Sequence, residues 1–360
     1  MIQKEIQIGS HKVGPGNPVF IVAEAGVNHD GDMAKAKKLI EAAKASGADA
    51  VKFQSFSAER LVRRNAPKAK YQDRNIGSEI SQFDMLKKLE LSQAQAIVLK
   101  DYAESKGIIF LSTAYDEIAV DELEEIGVAA HKLASIEVVN HPLIRRTAQT
   151  GKPVILSIGM AIEREVHQAV LIFRHEAVRL DNSSHNLILL QCNTNYPADL
   201  QDQHLRTIET LRKYVPVVGF SDHTIGSVAG MGAVAVGANI IERHFTLNKK
   251  DRGPDHRASM EPEEFARFVE AVRVMEKVLG SPEIKPRGGE LENMVGMRKS
   301  ICAARPIHKG DVITLDMLAY KRPGDGLYPL TGNISRIIGR KALKDIMADE
   351  NILFADIDIE

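Results

Sequence analysis

Polar side chains with metal-binding and acid–base chemistry recur at the ends of apolar runs, where packing alone would not select them. Ser221 and His223 stand two positions apart in one run, and Glu242 and His244 repeat this spacing in another. Residues two apart on a β-strand share a face, so each pair points one way if the runs are strands. A lone histidine at a strand end commonly makes only a hydrogen bond, but two on neighbouring strands form half of a divalent metal site. We take no cysteine to lie nearby, so we expect an ion that keeps several waters rather than structural zinc.

Two lysines occupy comparable positions in other runs. Burying the ammonium group of Lys52 or Lys132 costs several kcal/mol unless an anion meets it. An ion pair with Glu24 or Glu242 is the simpler explanation for one of them. Two lysines with several hydroxyls favour instead a pocket for a phosphorylated, carboxylated substrate. The hydroxyl side chains are those of Thr113, Ser135, Ser157 and Ser221. A lysine that forms a Schiff base would explain neither the second lysine nor the histidine pair.

A long charged segment, residues 248–262, follows the run that contains His244. Charged loops are commonly only solvated. Here Asp255 follows a rigid Gly-Pro pair directly after the proposed metal ligand, and binding residues are frequent on loops. We therefore expect this segment to bind substrate.

Eight apolar runs alternate with amphipathic stretches between residue 19 and about residue 280. The runs cover residues 19–26, 49–56, 108–114, 130–136, 153–159, 187–196, 216–223 and 239–247. Eight strands that are each followed by a helix predict an α/β fold of the (β/α)₈ barrel type, with its active site at the carboxyl ends of the strands. A doubly wound open sheet is the alternative, but neither a G-x-G-x-x-G motif nor a P-loop follows any run.

The pattern changes near residue 281. Spaced prolines and a Gly-Gly pair predict an exposed linker at 281–295, after a barrel domain at 1–280. The remaining residues, 296–360, have short apolar runs broken by turn residues and predict a small β-rich domain. A domain of this size is expected to need a partner surface for stability.

Composition limits the classes of partner. The chain has 47 Lys and Arg against 48 Asp and Glu, a net charge of −1, which argues against nucleic acid and anionic membranes. Hydrophobic residues make up 44% of the chain, enough for a sizeable core. Two cysteines, Cys192 and Cys302, indicate a reducing compartment. No apolar run resembles a signal peptide or a membrane span, so we expect a cytoplasmic protein.

Several longer motifs extend these observations. They include IVAEAGVNHDG, VKFQSF, HKLASIE, VGFSDHTIG, ERHFTL and GPDHRASMEP. With these motifs the chain resembles the bacterial sialic acid synthases (N-acetylneuraminate synthases) and their relatives that make legionaminic and pseudaminic acids. In the tail, RKSICAARPIHKGDVIT and KRPGDGL resemble the antifreeze-like (SAF) domain of those synthases. The resemblance covers essentially the whole chain.

The resemblance implies an activity. Members of the family condense phosphoenolpyruvate with an N-acylated hexosamine and water, giving a nonulosonic (sialic) acid and phosphate by C–O cleavage. The expected acceptor is N-acetylmannosamine, and the alternative is a 6-deoxy-diacetamido hexose, as used by legionaminic or pseudaminic acid synthases. A divalent metal is expected to activate the sugar aldehyde, manganese first, with magnesium or cobalt as alternatives.

The resemblance also implies roles for individual residues. Glu24, His223 and His244 would be catalytic, and the two histidines would hold the metal. Phosphoenolpyruvate would be bound by Lys52, Thr113, Lys132, Ser135, Ser157, Thr194 and Ser221. The sugar would be bound by Gln54, Glu137, Tyr196, Asp255 and Arg322. Arg322 would reach the site from the other subunit of a domain-swapped homodimer.

Two departures from the family pattern leave details open. The strand-six segment reads QCNTNYP, so Asn193, Thr194 and Asn195 all remain candidates for the contact with phosphate. After strand four, Ile136-Glu137 leans towards the pseudaminic branch, whereas APKAKYQ and GPDHRAS lean towards sialic or legionaminic acid.

Two other classes of function fit the sequence less well. A metal-dependent hydrolase on the same barrel would commonly carry His-x-His on strand one, where this chain has only Asn28-His29, and it would leave the lysines unexplained. A binding protein that acts through its antifreeze-like tail is the other alternative. Such binding would require a flat, regular, Thr-rich face, which the tail lacks.

Overall fold

The computed structural model describes residues 5–77, 79–183 and 185–359. The chain divides into two compact units, Met1–Gly280 and Ser281–Glu360. Each unit has a hydrophobic core of its own.

Eight parallel strands close into a barrel in the first unit, which confirms the predicted (β/α)₈ fold. A two-stranded hairpin precedes them, and within the barrel each strand pairs with its neighbours in chain order, the last closing on the first. The strands are β1 (Ile6–Ile8), β2 (His11–Val13), β3 (Phe20–Gly26), β4 (Ala50–Ser55), β5 (Ile109–Ala114), β6 (His131–Leu133), β7 (Val154–Ser157), β8 (Leu187–Cys192), β9 (Val218–Asp222) and β10 (Ile240–His244).

Helices surround the barrel. They are α1 (Met33–Ala45), α2 (Ala58–Leu61), α3 (Lys70–Ile76), α4 (Gln82–Lys87), α5 (Gln93–Ser105), α6 (Glu117–Ile126), α7 (His141–Gln149), α8 (Glu163–Arg179), α9 (Thr207–Leu211), α10 (Val228–Ala235) and α11 (Pro262–Leu279). Short 3₁₀ turns lie at Ser135–Val139, Leu200–Asp202 and His256–Ala258. None of the described helices is both long and apolar enough to cross a bilayer.

Helix α1 illustrates how local sequence sets these elements. The side chain of Asp32 accepts a hydrogen bond from the backbone N–H of Ala34 and caps the first turn. Four apolar residues at helical spacing are buried against the barrel: Ala36, Leu39, Ile40 and Ala43. Gly47 follows in the left-handed region with φ +85°, which allows the chain to turn into β4.

The amino-terminal hairpin packs against the first residues of the barrel strands. Ile6, Ile8 and Val13 are buried in one cluster with apolar side chains from the barrel interior. Those side chains include Phe20, Val22, Ala50, Leu111, Ile155, Ile188, Leu190 and Ile240. The hairpin therefore adds apolar side chains at the amino end of the barrel. Its strands have only three residues each, too short a pattern for the sequence analysis to identify.

Several strands end earlier than the apolar runs suggested, and β6 and β8 show why. Strand β6 stops at Leu133 because the chain enters the 3₁₀ turn Ser135–Val139. Strand β8 stops at Cys192 because the side chain of Asn193 accepts a hydrogen bond from the backbone N–H of Asn195 and turns the chain. Residues 193–196, predicted as strand, are therefore loop.

Three short helices, α2, α3 and α4, occupy the connection after β4. They share a small apolar cluster with the barrel that includes Val27, Phe56, Ile76, Met85 and Leu89. The sequence analysis did not identify these helices.

The second unit contains helices α12 (Glu290–Met297) and α13 (Thr331–Ile337) and the antiparallel strands β11 (Ser300–Ala303) and β12 (Leu318–Lys321). Its core is rich in isoleucine, as at Ile301, Ile313 and Ile346. In the segment 281–295, proposed as a linker, residues 281–289 have no regular element and α12 begins at Glu290.

The hairpin gives a test of the core. Ile8→Ala should lower the free energy of unfolding by about 2–4 kcal/mol, because Ile8 is fully buried in the barrel interior. The exposed neighbour Gln7 provides the control, and Gln7→Ala should change the free energy by less than about 0.5 kcal/mol. Denaturant unfolding measures both, and equal effects would contradict the assigned packing.

Candidate active site

Two adjoining cavities open at the carboxyl end of the barrel. The smaller is polar and is lined by Glu24, Lys52, Gln54, Thr113, Tyr115, Lys132, Ala134, Ser135, Ser157, Cys192, Tyr196, Ser221, His223, Glu242 and His244. The larger has a volume of about 920 Å³. They share six lining residues, among them Gln54, Tyr196 and His244.

Strand register explains why distant residues meet here. Glu24 on β3 is in register with Lys52 on β4 and with His244 on β10. Thr113 on β5 is in register with Lys132 on β6. Because parallel strands end at the same edge, these side chains reach one cavity although they lie far apart in sequence.

Lys52 is held by acidic neighbours. Its Nζ lies 2.5 Å from Glu24 Oε2 and 3.5 Å from Glu242 Oε1, and it donates to Thr113 Oγ1 at 2.8 Å. The ion pair with Glu24, the simpler of the two explanations for a buried lysine, is therefore present. Burial by itself would lower the pKa of Lys52, but Glu24 and Glu242 raise it above its ordinary value.

The buried charge of Lys132 is less well balanced by nearby carboxylates than that of Lys52. Its Nζ donates to Ser157 Oγ and to the carbonyl of Leu133, both at 2.8 Å, and Glu242 Oε1 lies 4.0 Å away. Burial lowers the pKa of Lys132, so its ammonium form is the less stable of the two lysines. An incoming anion would stabilise that form.

The two carboxylates differ in their electrostatics. Burial raises the pKa of Glu24 to about 7, although Lys52 opposes the shift. Burial would raise the pKa of Glu242 too, but Lys132 and Lys52 hold it below its ordinary value. Glu242 is thus the more stably ionised carboxylate, shared between two lysines.

A glycine allows Glu24 to adopt its position. Gln54 Nε2 donates to Glu24 Oε1 at 2.9 Å, and Tyr115 Oη donates to Gln54 Oε1 at 3.1 Å. A Cβ on Gly26 would lie 3.1 Å from Glu24 Oε1, and Gly26 has φ +53°. A side chain at this position would therefore press on Glu24 and strain the backbone.

The two histidines face each other, with ring centroids 5.1 Å apart. His223 Nδ1 donates to the carbonyl of Asn193, which leaves Nε2 with the lone pair. Among the described residues His244 Nδ1 has no hydrogen-bond partner, and it lies 3.7 Å from Asp255 Oδ2. Burial holds the pKa of His244 well below its ordinary value, which favours the neutral, metal-binding imidazole.

One premise of the sequence analysis was wrong. We assumed that no cysteine lies beside the histidine pair, but Cys192 Sγ is 3.8 Å from His223 Nδ1. Cys192 is 31 positions away in the chain and reaches His223 because β8 pairs with β9, with Cys192 in register with Ser221. Only the barrel pairing brings the thiol to this place.

Tyr196 packs against both imidazoles. Its ring stacks on His223 with centroids 4.0 Å apart and meets His244 edge-on at 5.2 Å. Tyr71, from helix α3, lies on Tyr196 with centroids 4.9 Å apart. The aromatic pair forms part of the lining of the larger cavity.

The charged segment 248–262 is fixed rather than merely solvated. His256 is fully buried, with Nδ1 2.7 Å from Thr246 Oγ1 and Nε2 3.2 Å from Asp30 Oδ1. Asn75 donates to the carbonyl of Pro254. These contacts hold Asp255 against His244, where burial raises the pKa of Asp255 to about 6.

Asp30, Asp251 and His256 form the one cluster of three potential metal-ligating side chains within the described parts of the chain. It lies apart from the histidine pair. Lys35 Nζ is 2.5 Å from Asp30 Oδ2 and 2.6 Å from Asp251 Oδ2, so an ammonium group already neutralises the carboxylates. We interpret this cluster as an anchor for the segment that carries Asp255.

Apolar side chains line much of the larger cavity. They come from the loop after β3, from the α2–α4 connection and from the loops after β6 and β7: Val27, Phe56, Leu61, Val62, Met85, Leu86, Leu89, Ile136 and Met160. Its polar lining includes Gln54, Tyr196 and Asp255, three of the residues predicted to bind sugar.

Four predicted site residues lie outside the polar cavity. Thr194 and Asp255 line the larger cavity, not the smaller one with the lysines. Glu137 is buried in the 3₁₀ turn, where Asn140 donates to it at 2.7 Å, and it lines neither cavity. Arg322 belongs to the second unit and is exposed there. Their predicted roles stay predictions.

Four residues that line the polar cavity, Tyr115, Ala134, Cys192 and Glu242, were not predicted from the sequence to have a catalytic or binding role. Glu242 was expected only as a polar residue at a strand end or as a counter-ion for a lysine. Tyr115 follows β5 by one position, and extending that run by one residue would have revealed it. Cys192 was counted only as evidence for a reducing compartment.

Comparisons with known proteins agree on one family. The model of the NeuB family matches residues 39–284, and the model of the SAF domain matches residues 298–358. The chain is 42% identical to the N,N'-diacetyllegionaminic acid synthase of Legionella pneumophila over 349 residues, 96% of each protein. It is 36% identical to the N-acetylneuraminate-9-phosphate synthase of Homo sapiens, covering 95% of this chain and 93% of that enzyme.

A solved structure gives the same result. It is an N-acetylneuraminic acid (sialic acid) synthetase from Leptospira borgpetersenii serovar Hardjo-bovis in complex with citrate. It is 35% identical in sequence, with a TM-score of 0.71, over 81% of this chain and 95% of that one.

Glu137 gives a test of the electrostatics beside the cavities. Burial raises its pKa to about 7, so the folded protein holds a proton that the unfolded chain releases above about pH 4.5. Stability is therefore lost as pH rises between these values. Glu137→Gln should remove that loss, so its unfolding free energy relative to the unmodified protein should rise by about 1–2 kcal/mol from pH 5 to pH 8. Denaturant unfolding at both values measures it; a difference independent of pH would contradict the assignment.

Proposed function

Because the chain belongs to the NeuB family of sialic acid synthase-type enzymes, we propose that it condenses phosphoenolpyruvate with an N-acylated hexosamine and water, releasing phosphate and a nonulosonic acid. One observation carries the proposal. Lys52 and Lys132 converge beside His223 and His244 in a polar cavity that continues into one large enough for a sugar.

The lysine cavity suits phosphoenolpyruvate. Lys132 has one distant carboxylate for its charge, and hydroxyl groups converge on the same space. Ser157 already bonds Lys132, and Ser135 bonds the backbone N–H of Gly159. A ligand with a phosphate and a carboxylate would meet both lysines and these hydroxyls without a Gly-rich loop.

The histidines fit a divalent metal. His244 Nδ1 is a buried nitrogen without a partner among the described residues, and His223 Nε2 faces the hydroxyl of Ser221 at 3.5 Å. His223 and His244 would hold the ion, and we propose manganese, with magnesium or cobalt as alternatives. When bound, the ion supplies Lewis-acid polarisation of the acceptor's carbonyl oxygen.

The residues of the chain then divide the remaining tasks. Lys52 and Lys132 hold the phosphate and carboxylate while C3 of phosphoenolpyruvate bonds to the aldehyde carbon of the sugar. Positive charge develops at C2, water adds there, and the C–O bond to phosphate breaks. Glu24, bonded to Lys52 and Gln54, is placed to orient the sugar and to deliver a proton to its carbonyl oxygen.

The larger cavity favours one acceptor class. Its nine apolar side chains suit a 6-deoxy sugar with two N-acetyl groups better than a sugar with a free hydroxymethyl group at C6. The higher identity to the legionaminic acid synthase than to the phosphate-using human enzyme agrees with this choice. We therefore favour the 6-deoxy-diacetamido hexose over N-acetylmannosamine, the acceptor expected first from the sequence.

The hydrolase alternative has less support. Asn28 donates to the carbonyl of Phe245 and to Ser259 Oγ, and His29 Nδ1 accepts from the backbone N–H of Gly31. Both residues are buried and neither lines the polar cavity. Asn28 and His29 therefore serve the loop structure rather than a metal site on β3.

A phosphate-release assay tests the proposal. The protein with phosphoenolpyruvate and manganese should release phosphate with 2,4-diacetamido-2,4,6-trideoxymannose at a kcat/KM at least tenfold above that for N-acetylmannosamine or its 6-phosphate. No release with any of the three would overturn the function. A preference for N-acetylmannosamine would overturn only our choice of acceptor and not the proposed reaction.

A variant in the same assay tests the contribution of Lys132 to phosphoenolpyruvate binding. Lys132→Met should raise the KM for phosphoenolpyruvate by about one to two orders of magnitude, because it removes charge-assisted hydrogen bonds worth about 1.5–3 kcal/mol. Lys100→Met, on helix α5 away from both cavities, is the control and should leave KM unchanged.

The proposed homodimer makes a separate prediction about Arg322. Arg322→Ala and His244→Ala should each lose most activity alone. A heterodimer of the two, purified through different tags, should recover about half of the activity of the unmodified dimer. One of its barrels has an intact His244 and receives Arg322 from the other chain. A heterodimer as inactive as its parents would mean that Arg322 does not act across the dimer.

A further inference from the structure

A third cavity, of about 300 Å³, lies between the segments that follow β9 and β10 and helix α11. It shares no lining residue with the two cavities of the candidate active site. Its lining is Ile225, Gly226, Ser227, Arg243, Lys249, Arg257, Ala258, Ser259, Met260, Glu264, Arg267 and Phe268. Nothing in the proposed reaction uses this space.

Positive charge exceeds negative charge around the third cavity. Four of the lining residues are cationic, and Glu264 is the one acidic residue among them. Lys249 pairs with Glu264. Arg257 and Arg267 are exposed, and neither forms an ion pair with a carboxylate in the described part of the chain. Two guanidinium groups therefore remain available to a ligand.

The most buried cationic residue of the third cavity has an unused donor. Arg243 is 1% exposed and pairs with Asp222 through one terminal nitrogen, while the other donates to the carbonyl of Thr224. Its Nε has no hydrogen-bond partner among the described residues. Because Arg243 lines the third cavity, this buried donor without a partner indicates a missing acceptor beside it.

A helix begins at the same place. Helix α10 starts at Val228, and Ser227, which lines the third cavity, provides no side-chain cap. The first amides of an uncapped helix are free donors, and the helix dipole favours negative charge beside them. The start of helix α10 and the arginines therefore both favour an anionic ligand.

We propose that the third cavity binds a phosphate dianion, separately from the phosphate site at the barrel mouth. Paired guanidinium groups match the oxygens of phosphate in a bidentate manner. Barrels of this type frequently bind phosphate between the loops after strands seven and eight, which are β9 and β10 here. The volume admits inorganic phosphate or the phosphate end of a small ester.

The third cavity touches segments that support the candidate active site. Arg243 holds the carbonyl of Thr224, next to His223 in the chain. Ser259, another lining residue, donates through Oγ to the carbonyl of Asp255. A phosphate bound here would thus contact the residues that hold both segments in place.

Calorimetric titration of the full-length protein with inorganic phosphate tests the proposal. The unmodified protein should bind two phosphates per chain. Arg257→Gln/Arg267→Gln should lose one of them or weaken it at least tenfold. Lys250→Gln/Arg164→Gln removes the same net charge from exposed positions outside all three cavities and should keep both. Thermal unfolding of each variant verifies that it is folded.

Two further titrations assign the sites. Lys132→Met should lose the phosphate at the barrel mouth and keep the one in the third cavity. Phosphoenolpyruvate in place of phosphate separates the sources: two molecules per chain mean that the third cavity admits an ester, and one means that it takes the free ion. No phosphate bound by Lys132→Met, or the same stoichiometry and affinity in Arg257→Gln/Arg267→Gln as in the unmodified protein, would overturn the proposal. None of these readouts requires turnover, so failure of the proposed reaction leaves the test intact.

Discussion

The candidate site depends on the burial of two lysine ammonium groups inside a closed barrel. Removing such charges from water is costly, and the structure offsets the cost unequally. Lys52 has Glu24 within 2.5 Å, whereas Lys132 has Glu242 at 4.0 Å and is otherwise held by neutral oxygens. The pair therefore retains an affinity for negative charge that a fully matched cluster would not have. That imbalance is what makes the polar cavity suitable for an anionic substrate.

The barrel provides this environment by dividing its interior into two levels. At the amino end, apolar strand residues and the hairpin residues Ile6, Ile8 and Val13 form one core. At the carboxyl end the inward positions become polar, as at Glu24 and Lys52 on adjacent strands. The α2–α4 connection then adds an apolar wall above the polar level. A charged substrate end and a less polar sugar could thus be held in adjoining spaces.

Charged residues outside the polar cavity hold its parts in place. Arg243 bonds Asp222 and Thr224, the residues on either side of His223. His256, Asp30 and Lys35 anchor the segment that presents Asp255 to His244. In the acidic cluster of Asp30 and Asp251, the ammonium group of Lys35 serves as the counter-ion of both carboxylates. Arg243 links this support to the third cavity, where its unused donor favours an anion.

The sequence by itself determined the order of strands and helices, the level at which polar residues begin, and which side chains share a strand face. Those features follow from local periodicity, which is why the barrel and the convergence of Lys52, Lys132, His223 and His244 could be expected. Local periodicity does not contain distances between residues far apart in the chain. Three contacts arise only because the barrel closes. Cys192 lies beside His223, and Tyr115 is linked to Glu24 by hydrogen bonds through Gln54. Glu242 lies within ion-pair distance of both Lys52 and Lys132. The apolar patterns of the hairpin and of the α2–α4 connection are too short to predict these elements from sequence. Their positions depend on the apolar surfaces of the closed barrel against which they pack.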